Sequence, residues 1–183
     1  MEAATPGTIV DFWRDAGRKA WFTKDEAFDA TIREQFEASH HAAARGELTG
    51  WVEAAEGALA LLLLTDQFPR NLWRGSAHAF ATDPLARAAA REAIARGHHR
   101  VTALDLRGFF YLPFQHSEDP ADHEFGLGLA EALERDGGES ARWARHHRDI
   151  IERFGRFPHR NAALGRRSTA DELTFLEGGG FAG

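Results

Sequence analysis

Two similar polar segments lie far apart in the chain. The first is Gln67-Phe68-Pro69-Arg70-Asn71 and the second is Arg156-Phe157-Pro158-His159-Arg160-Asn161. Proline lacks a backbone N–H and disfavours helical geometry at the residue before it, so each segment is predicted to end a helix. Each then presents a guanidinium group and an amide, which suit a carboxylate or another anion. If the two segments meet in the folded chain, they would form a polar corner for such a ligand.

The first segment follows the most apolar stretch of the chain, where a charge is costly without a partner. Arg70 could neutralise Asp66 while Asn71 caps a backbone group, which would make the network structural. Alternatively, the network is open on one side and receives a ligand, an interpretation that the extra charge of Arg74 favours. Both interpretations remain open, and the candidate ligand-binding residues are Asp66, Gln67, Arg70, Asn71 and Arg74.

The second segment has the same two interpretations. Gly155 permits a left-handed helix end before it, and the planar donors of Arg156 and Arg160 match a carboxylate or a phosphate. Equally, these arginines could bind exposed helix-end carbonyls and clamp helices together. The candidate ligand-binding residues here are Arg156, His159, Arg160, Asn161 and Arg166.

Three residues are candidates for proton transfer, namely His116, Glu118 and His147. His116 is not needed to cap a helix and can exchange a proton near neutral pH, with help from Glu118. His147 lies on the apolar face of a predicted helix, where a histidine is more often a core residue than a catalyst. Ser117 is predicted to cap a helix rather than act as a nucleophile, because no Gly-x-Ser-x-Gly motif surrounds it.

The sequence predicts no metal site and no cofactor. It contains no His-Glu-x-x-His motif, no pair of Glu-x-x-His helices and no Gly-x-x-x-x-Gly-Lys phosphate loop. It also contains no cysteine, which excludes disulfides, a thiolate nucleophile and Cys-ligated zinc.

The composition indicates a helical globular protein. Of 183 residues 43% are hydrophobic, but few are the β-branched Ile or Val that sheets favour. The net charge of −6 argues against nucleic acid or an anionic membrane as partner. The longest apolar stretch, 58–64, is too short to span a bilayer, and no secretory signal is evident, so a cytoplasmic location is expected.

The elements that must position these residues are predicted from caps and apolar spacing. Capping patterns begin at Thr23 and Thr169, Thr82-Asp83-Pro84 starts another helix, and Ser117 starts a fourth. Helices are also predicted over 56–67, 104–112 and 140–154, the last with Trp143 and His147 on its buried face. About eight helices follow, in a single domain over 1–177 with a flexible glycine-rich tail over 178–183.

Longer motifs then suggest a family. The runs Leu61-Leu62-Leu63-Leu64-Thr65-Asp66-Gln67-Phe68-Pro69-Arg70-Asn71, Phe80-Ala81-Thr82-Asp83, Tyr111-Leu112-Pro113-Phe114-Gln115-His116-Ser117-Glu118-Asp119 and Phe154-Gly155-Arg156-Phe157-Pro158-His159-Arg160-Asn161 resemble the bacterial domain of unknown function 924 family. The resemblance runs from Asp11 to Thr169. It implies an all-α fold similar to a tetratricopeptide-type, right-handed superhelical array or bundle, and it implies no activity.

Taken together, the motifs predict recognition of a small anionic or polar molecule in an interhelical pocket, with acid–base chemistry as an option. The alternative is a tetratricopeptide-like module that binds a protein partner, in which the polar motifs are structural. Sealed arginines and an apolar groove elsewhere would favour the module, whereas arginines that converge on a cavity would favour the ligand site. The sequence leaves the oligomeric state open.

Overall fold

The computed structural model describes residues 4–181, and this part of the chain is helical and contains no strand. The all-α class is therefore as predicted. The part of the predicted domain at residues 1–3 lies outside the described range. The helices are α1 (Pro6–Trp21), α2 (Glu26–Ala44), α3 (Ala55–Leu62), α4 (Phe68–Leu72), α5 (Asp83–Ala95), α6 (His98–Val101), α7 (Leu104–Arg107), α8 (Leu112–Gln115), α9 (Pro120–Arg135), α10 (Arg142–Phe154) and α11 (Ala170–Glu177).

The centre of the fold is α3, which is buried from Gly57 onward and packs against α1 and α5. Its apolar character on every side is typical of a helix inside a core. The helical segment does not end at Phe68-Pro69, contrary to the prediction. It passes through a π-helical turn, Leu63–Gln67, and continues directly into α4.

The wide turn explains why Pro69 is tolerated. A proline within a helix leaves the carbonyl four residues earlier without its usual donor. That carbonyl belongs to Thr65, and it accepts a hydrogen bond of 2.6 Å from the Thr82 hydroxyl. The preceding carbonyl, of Leu64, accepts from Nδ1 of His40 at 2.7 Å. Side chains from α2 and from the start of α5 therefore replace the backbone donors.

Several predicted caps lie at different residues. Asp25, not Thr23, caps α2 and accepts from the backbone N–H groups of residues 27 and 28. Thr82 precedes α5 but donates to Thr65 instead of capping. Asp119, not Ser117, caps α9, because Ser117 donates to Asp122 at 2.6 Å and thereby ties the preceding turn to the helix.

The capping box at Thr169 is present as predicted, and the Glu172 side chain completes it. Gly155 ends α10 in the left-handed conformation with φ of 68°, also as expected.

The segment predicted as one helix over 104–112 is divided. It contains α7, a 3-10 turn (Gly108–Phe110) and α8, because Pro113 begins the first turn of α8 instead of terminating a longer helix. The last long helix begins at Arg142 rather than residue 140. Its Trp143 is 44% exposed, which corrects the prediction that it is buried.

The glycine-rich segment after α11 is described as far as Phe181, and residues 182 and 183 lie outside the described range. Phe181 folds back on α10. Its ring lies 4.7 Å from the ring of His147 and 5.1 Å from that of His159, measured between centroids. This part of the tail thus covers one end of the cavity described next.

Candidate functional site

A single large cavity brings most of the candidate residues together. Its volume is about 1120 Å³, and it lies between the α4 end, the α8 end, α10 and the 3-10 turn Pro158–Arg160. A pocket of this size accommodates a metabolite with room to spare. The predicted site residues that line it are Gln67, Arg70, Asn71, Arg74, His116, His147, His159 and Arg160.

The two proline-containing segments do meet, and Asp83 joins them. Arg70 donates to the two carboxylate oxygens of Asp83 at 3.0 and 3.2 Å. Arg160 donates to the same carboxylate at 3.3 Å. Asp83 stands at the first position of α5, where the helix dipole adds to the stabilisation of a negative charge.

Arg160 is held in an unusually apolar place for a cation. Its guanidinium carbon lies 4.5 Å from the ring centre of Phe80 and 4.6 Å from that of Phe157, so the group is stacked between two rings. Burial, and then the charge of Arg70, lower the pKa of Arg160 to about 10. Its Nη1 pairs with Asp83, whereas its Nη2 makes no hydrogen bond within residues 4–181 and is not sealed from solvent.

Asp66 is the carboxylate that orients His116. Nδ1 of His116 lies 2.8 and 3.0 Å from the two Asp66 oxygens, and Gln67 donates to Asp66 at 2.5 Å. Burial would raise the pKa of Asp66, but His116 and Arg70 more than offset this, and the pKa lies below its ordinary value. Arg70 also donates to the backbone carbonyl of Asp66.

The surroundings of His116 favour its neutral form, because they lower its pKa from the ordinary value. Burial lowers its pKa, the charge of Arg70 lowers it further, and the attraction of Asp66 only partly compensates. With Nδ1–H directed at Asp66, Nε2 carries the lone pair. Nε2 makes no hydrogen bond in the described part of the chain and is not sealed, and the residue lines the cavity. A carboxylate–histidine pair of this kind is a general-base arrangement.

His147 and His159 complete the wall beside His116. Nδ1 of His147 donates to the Trp143 carbonyl at 2.6 Å. Burial and the proximity of His116 lower the pKa of His147 to about 3. Burial and Arg160 lower the pKa of His159 to about 3. Both rings are therefore uncharged at neutral pH.

Glu118 does not assist His116, contrary to the prediction. Its carboxylate accepts from Arg166 at 2.7 and 2.9 Å and from the Phe157 backbone N–H at 2.9 Å. These donors hold the pKa of Glu118 below its usual value against the effect of burial. Glu118 and Arg166 thus tie the α9 entry to the second segment, and neither lines the cavity.

Other candidates are also occupied by local partners. Asn71 and Arg74 both donate to Asp29 of α2, at 2.7 Å for Asn71 and 2.6 and 2.9 Å for Arg74. Arg156 pairs with Glu172 at 2.6 and 2.8 Å. Asn161 is buried and donates to Ser168 and Glu172, away from the cavity. The structural interpretation therefore fits Arg156, Asn161 and Arg166, whereas ligand binding by the residues that line the cavity stays a prediction.

Another part of the cavity wall is aromatic and was not predicted. Trp21, Phe22 and Phe109 form it, with ring centroids of Trp21 and Phe109 5.0 Å apart. Gly17, with φ of 73°, breaks α1 and lets its last turn, which carries Lys19 and Trp21, swing to this wall. One feature of the sequence indicated such a role, because the aromatic Phe22 lies outside every apolar stripe. In the structure, Phe22 is 55% exposed.

Asp83 and Phe80 were missed as site residues although they lie in one of the family motifs. Their role depends on a contact between Asp83 and Arg160, which lie 77 residues apart in the sequence. No local sequence pattern encodes such a contact. Within residues 4–181 no three histidine or carboxylate side chains converge in a manner suited to a metal ion. In the same range no helix combines the length and apolarity needed to cross a membrane.

Comparisons with known proteins extend these findings. The pattern of the family described as "Bacterial protein of unknown function (DUF924)" matches residues 9–180. A solved structure of a protein of unknown function, ATU0120 from Agrobacterium tumefaciens, is 54% identical, with a TM-score of 0.90, and the match covers 94% of this chain and 97% of that one. No match was found among curated proteins. The chain belongs to the bacterial DUF924 family of proteins of unknown function, as the sequence motifs indicated.

Proposed function

We propose that this protein binds a small organic ligand with an anionic or polar head group in the cavity, and that the Asp66–His116 pair can move a proton on that ligand. The observation that carries the proposal is the convergence of Arg70, Arg160 and His116 on one cavity. Each of these three side chains is hydrogen-bonded to a buried carboxylate, so the groups are held in place without a ligand.

The charge around the cavity supports an acidic ligand. Although the chain carries −6, the cationic side chains that line the cavity outnumber the two carboxylates that line it, Asp105 and Glu139. Both lysines of the chain, Lys19 and Lys24, are among them, and neither makes a salt bridge within residues 4–181. The four arginines of the lining are each paired with a carboxylate, so the two lysines supply the excess positive charge that favours an anion in the cavity.

The protein-interaction alternative receives less support. That alternative required the arginines to be fully occupied in ion pairs, and it required an apolar groove in another part of the protein. Arg156 and Arg166 are sealed in this way, but the exposed aromatic residues Phe22 and Trp143 share the cavity with Arg70 and Arg160.

Thermal-shift measurements with organic acids at millimolar concentration test the proposal. Some acids should stabilise the parent chain, since a ligand that binds only the folded state raises the midpoint of unfolding. Arg160→Lys keeps the charge but loses the planar fork, and should weaken binding about tenfold or more. Arg145→Lys, at an exposed ion pair outside the cavity, is the matched control and should bind as the parent does.

Two results would overturn the proposal. One is the absence of any stabilisation of the parent chain across monocarboxylates, dicarboxylates and phosphate esters. The other is ligand stabilisation that is equal in Arg160→Lys, in Arg145→Lys and in the parent.

A further inference from the structure

We infer that the ligand is a hydroxy acid, in which a carboxylate and a hydroxyl group are neighbours and an apolar body follows. This inference rests on the proposed function and adds the chemical class to it. It comes from matching the hydrogen-bond donors and acceptors that the cavity leaves unused.

The unused donors are guanidinium groups. Nε of Arg70 and Nη2 of Arg160 make no hydrogen bond within residues 4–181, and neither atom is sealed from solvent. Both arginines are anchored on Asp83, so these N–H groups have a fixed direction. A carboxylate is the acceptor that a pair of such planar donors favours.

Two of the unused acceptors are imidazole nitrogens. His116 and His147 each commit Nδ1–H to an oxygen, of Asp66 and of Trp143 respectively. In the neutral ring the other nitrogen, Nε2, then accepts and cannot donate. The two ring centroids are 6.2 Å apart and both residues line the cavity, so the two imidazoles form one part of its wall.

A plain carboxylate does not satisfy this arrangement. Its oxygens only accept, so they would meet the imidazole lone pairs without forming a hydrogen bond, and desolvated polar groups would be left unsatisfied. A hydroxyl beside the carboxylate supplies the missing donor. It can donate to one imidazole while the carboxylate accepts from Arg70 and Arg160.

The charge balance favours one negative charge over two. Arg70 and Arg160 are already opposed by two buried carboxylates, Asp66 and Asp83. The surplus of positive charge in the rest of the cavity comes from the exposed Lys19 and Lys24. A phosphate dianion would therefore be poorly neutralised beside the histidines, whereas a monocarboxylate would be matched.

The remainder of the cavity calls for an apolar body. A hydroxy-carboxylate head group fills only a small part of about 1120 Å³. Trp21, Phe22 and Phe109 are among the residues that line the rest. The Phe181 ring, seated 4.7 Å from the ring of His147, also places an aromatic group beside the histidines.

Calorimetric titration with two matched acids tests the inference. They are 3-phenyllactate and 3-phenylpropanoate, which differ only in the hydroxyl group. The full chain should bind 3-phenyllactate at least tenfold more tightly, because a site built around a hydroxyl rejects the analogue that lacks it. Phenethyl phosphate has a phenyl group as well but carries a dianionic head group, and it should bind more weakly than 3-phenyllactate.

A variant pair attributes the preference to the histidines. His147→Phe keeps a ring but removes the acceptor, and should reduce the preference for the hydroxyl to about threefold or less. His41→Phe, at an exposed histidine outside the cavity, should retain the full preference.

The outcomes separate the two proposals. Equal affinity of the parent chain for the two phenyl acids, weakened by Arg160→Lys, would overturn the hydroxy-acid inference and leave the proposed function intact. Binding of phenethyl phosphate tighter than of 3-phenyllactate would also overturn the inference. If the parent binds none of the three compounds and no other organic acid, both proposals fail.

Discussion

Asp83 is the residue on which the geometry of the cavity depends, because one carboxylate neutralises two cations. Arg160 depends more strongly on this neutralising charge than Arg70 does, because its side chain is only 7% exposed. Removing one partner of a buried ion pair leaves an uncompensated charge and costs about 3–5 kcal/mol.

The first prediction concerns that carboxylate. Asp83→Asn should lower the free energy of unfolding by about 3–5 kcal/mol, measured by urea denaturation. Asp105→Asn, at an exposed carboxylate on the same cavity, should stay within about 0.5 kcal/mol of the parent. A loss below 1 kcal/mol for Asp83→Asn would show that the two arginines do not depend on it.

The second prediction concerns pH. The pKa of His147 is about 3 in the folded chain, compared with an ordinary value of 6.5. Between these values the unfolded chain binds the extra proton, so stability is complete above pH 6.5 and falls as the pH is lowered. His147→Gln should reduce the slope of the unfolding free energy against pH, between pH 6 and 4, by about 1.4 kcal/mol per unit. Unchanged slopes in urea titrations at several pH values would contradict this.

Several polar residues that line the cavity could be recognised from the sequence because their types are polar and they follow apolar runs. His116, Arg70 and Arg160 were all identified in that way. The partners could not be assigned, because proximity along the chain suggested Glu118 for His116, whereas Asp66 approaches from 50 residues away. Pairing across the fold is a tertiary property that local patterns do not contain.

At the scale of elements, the π-helical turn Leu63–Gln67 is the feature that local rules failed to predict. Proline statistics indicated a helix end, and they hold when nothing replaces the lost donor. Here Thr82 supplies it from the start of α5. The same hydroxyl was predicted to cap α5, which shows how a correct residue type can have a different partner in the folded chain.

The third prediction tests that replacement. Thr82→Val removes the donor and leaves the Thr65 carbonyl buried and unsatisfied, so it should destabilise the chain by about 1–3 kcal/mol. Thr82→Ser retains the hydroxyl and should lose less than half as much. Thermal or urea unfolding of the two variants decides the point, and equal losses would mean that the methyl group matters rather than the hydrogen bond.

At the scale of the whole molecule, the helical class followed from composition and from the family motifs, and the structure confirms it. A right-handed superhelical array similar to tetratricopeptide repeats stays a prediction. An interhelical pocket was predicted, but its aromatic part could not be, because it is assembled from the end of α1 and the turn before α8, segments whose apolar residues fit equally well in a core.

The fourth prediction concerns the end of the chain and its effect on the cavity. Phe181 shields His147 and His159 from water, and burial is the main reason why the pKa of each is low. Phe181→Ala should therefore raise the pKa of both histidines towards 6.5, as measured by NMR titration of the ring signals. His99, whose ring contacts Tyr111 instead, is the internal reference and should not shift.

The π-helical turn Leu63–Gln67 also determines the direction in which the side chains after it point. Each residue of a regular helix advances the side-chain direction by about 100°. A π turn holds one residue more than an α turn in the same rise, so everything that follows it is rotated by that amount relative to a regular helix. If the same residues were wound as a regular α-helix with none deleted, Arg70 would turn away from Asp83. The π-helical turn is therefore as necessary for this ion pair as the arginine itself.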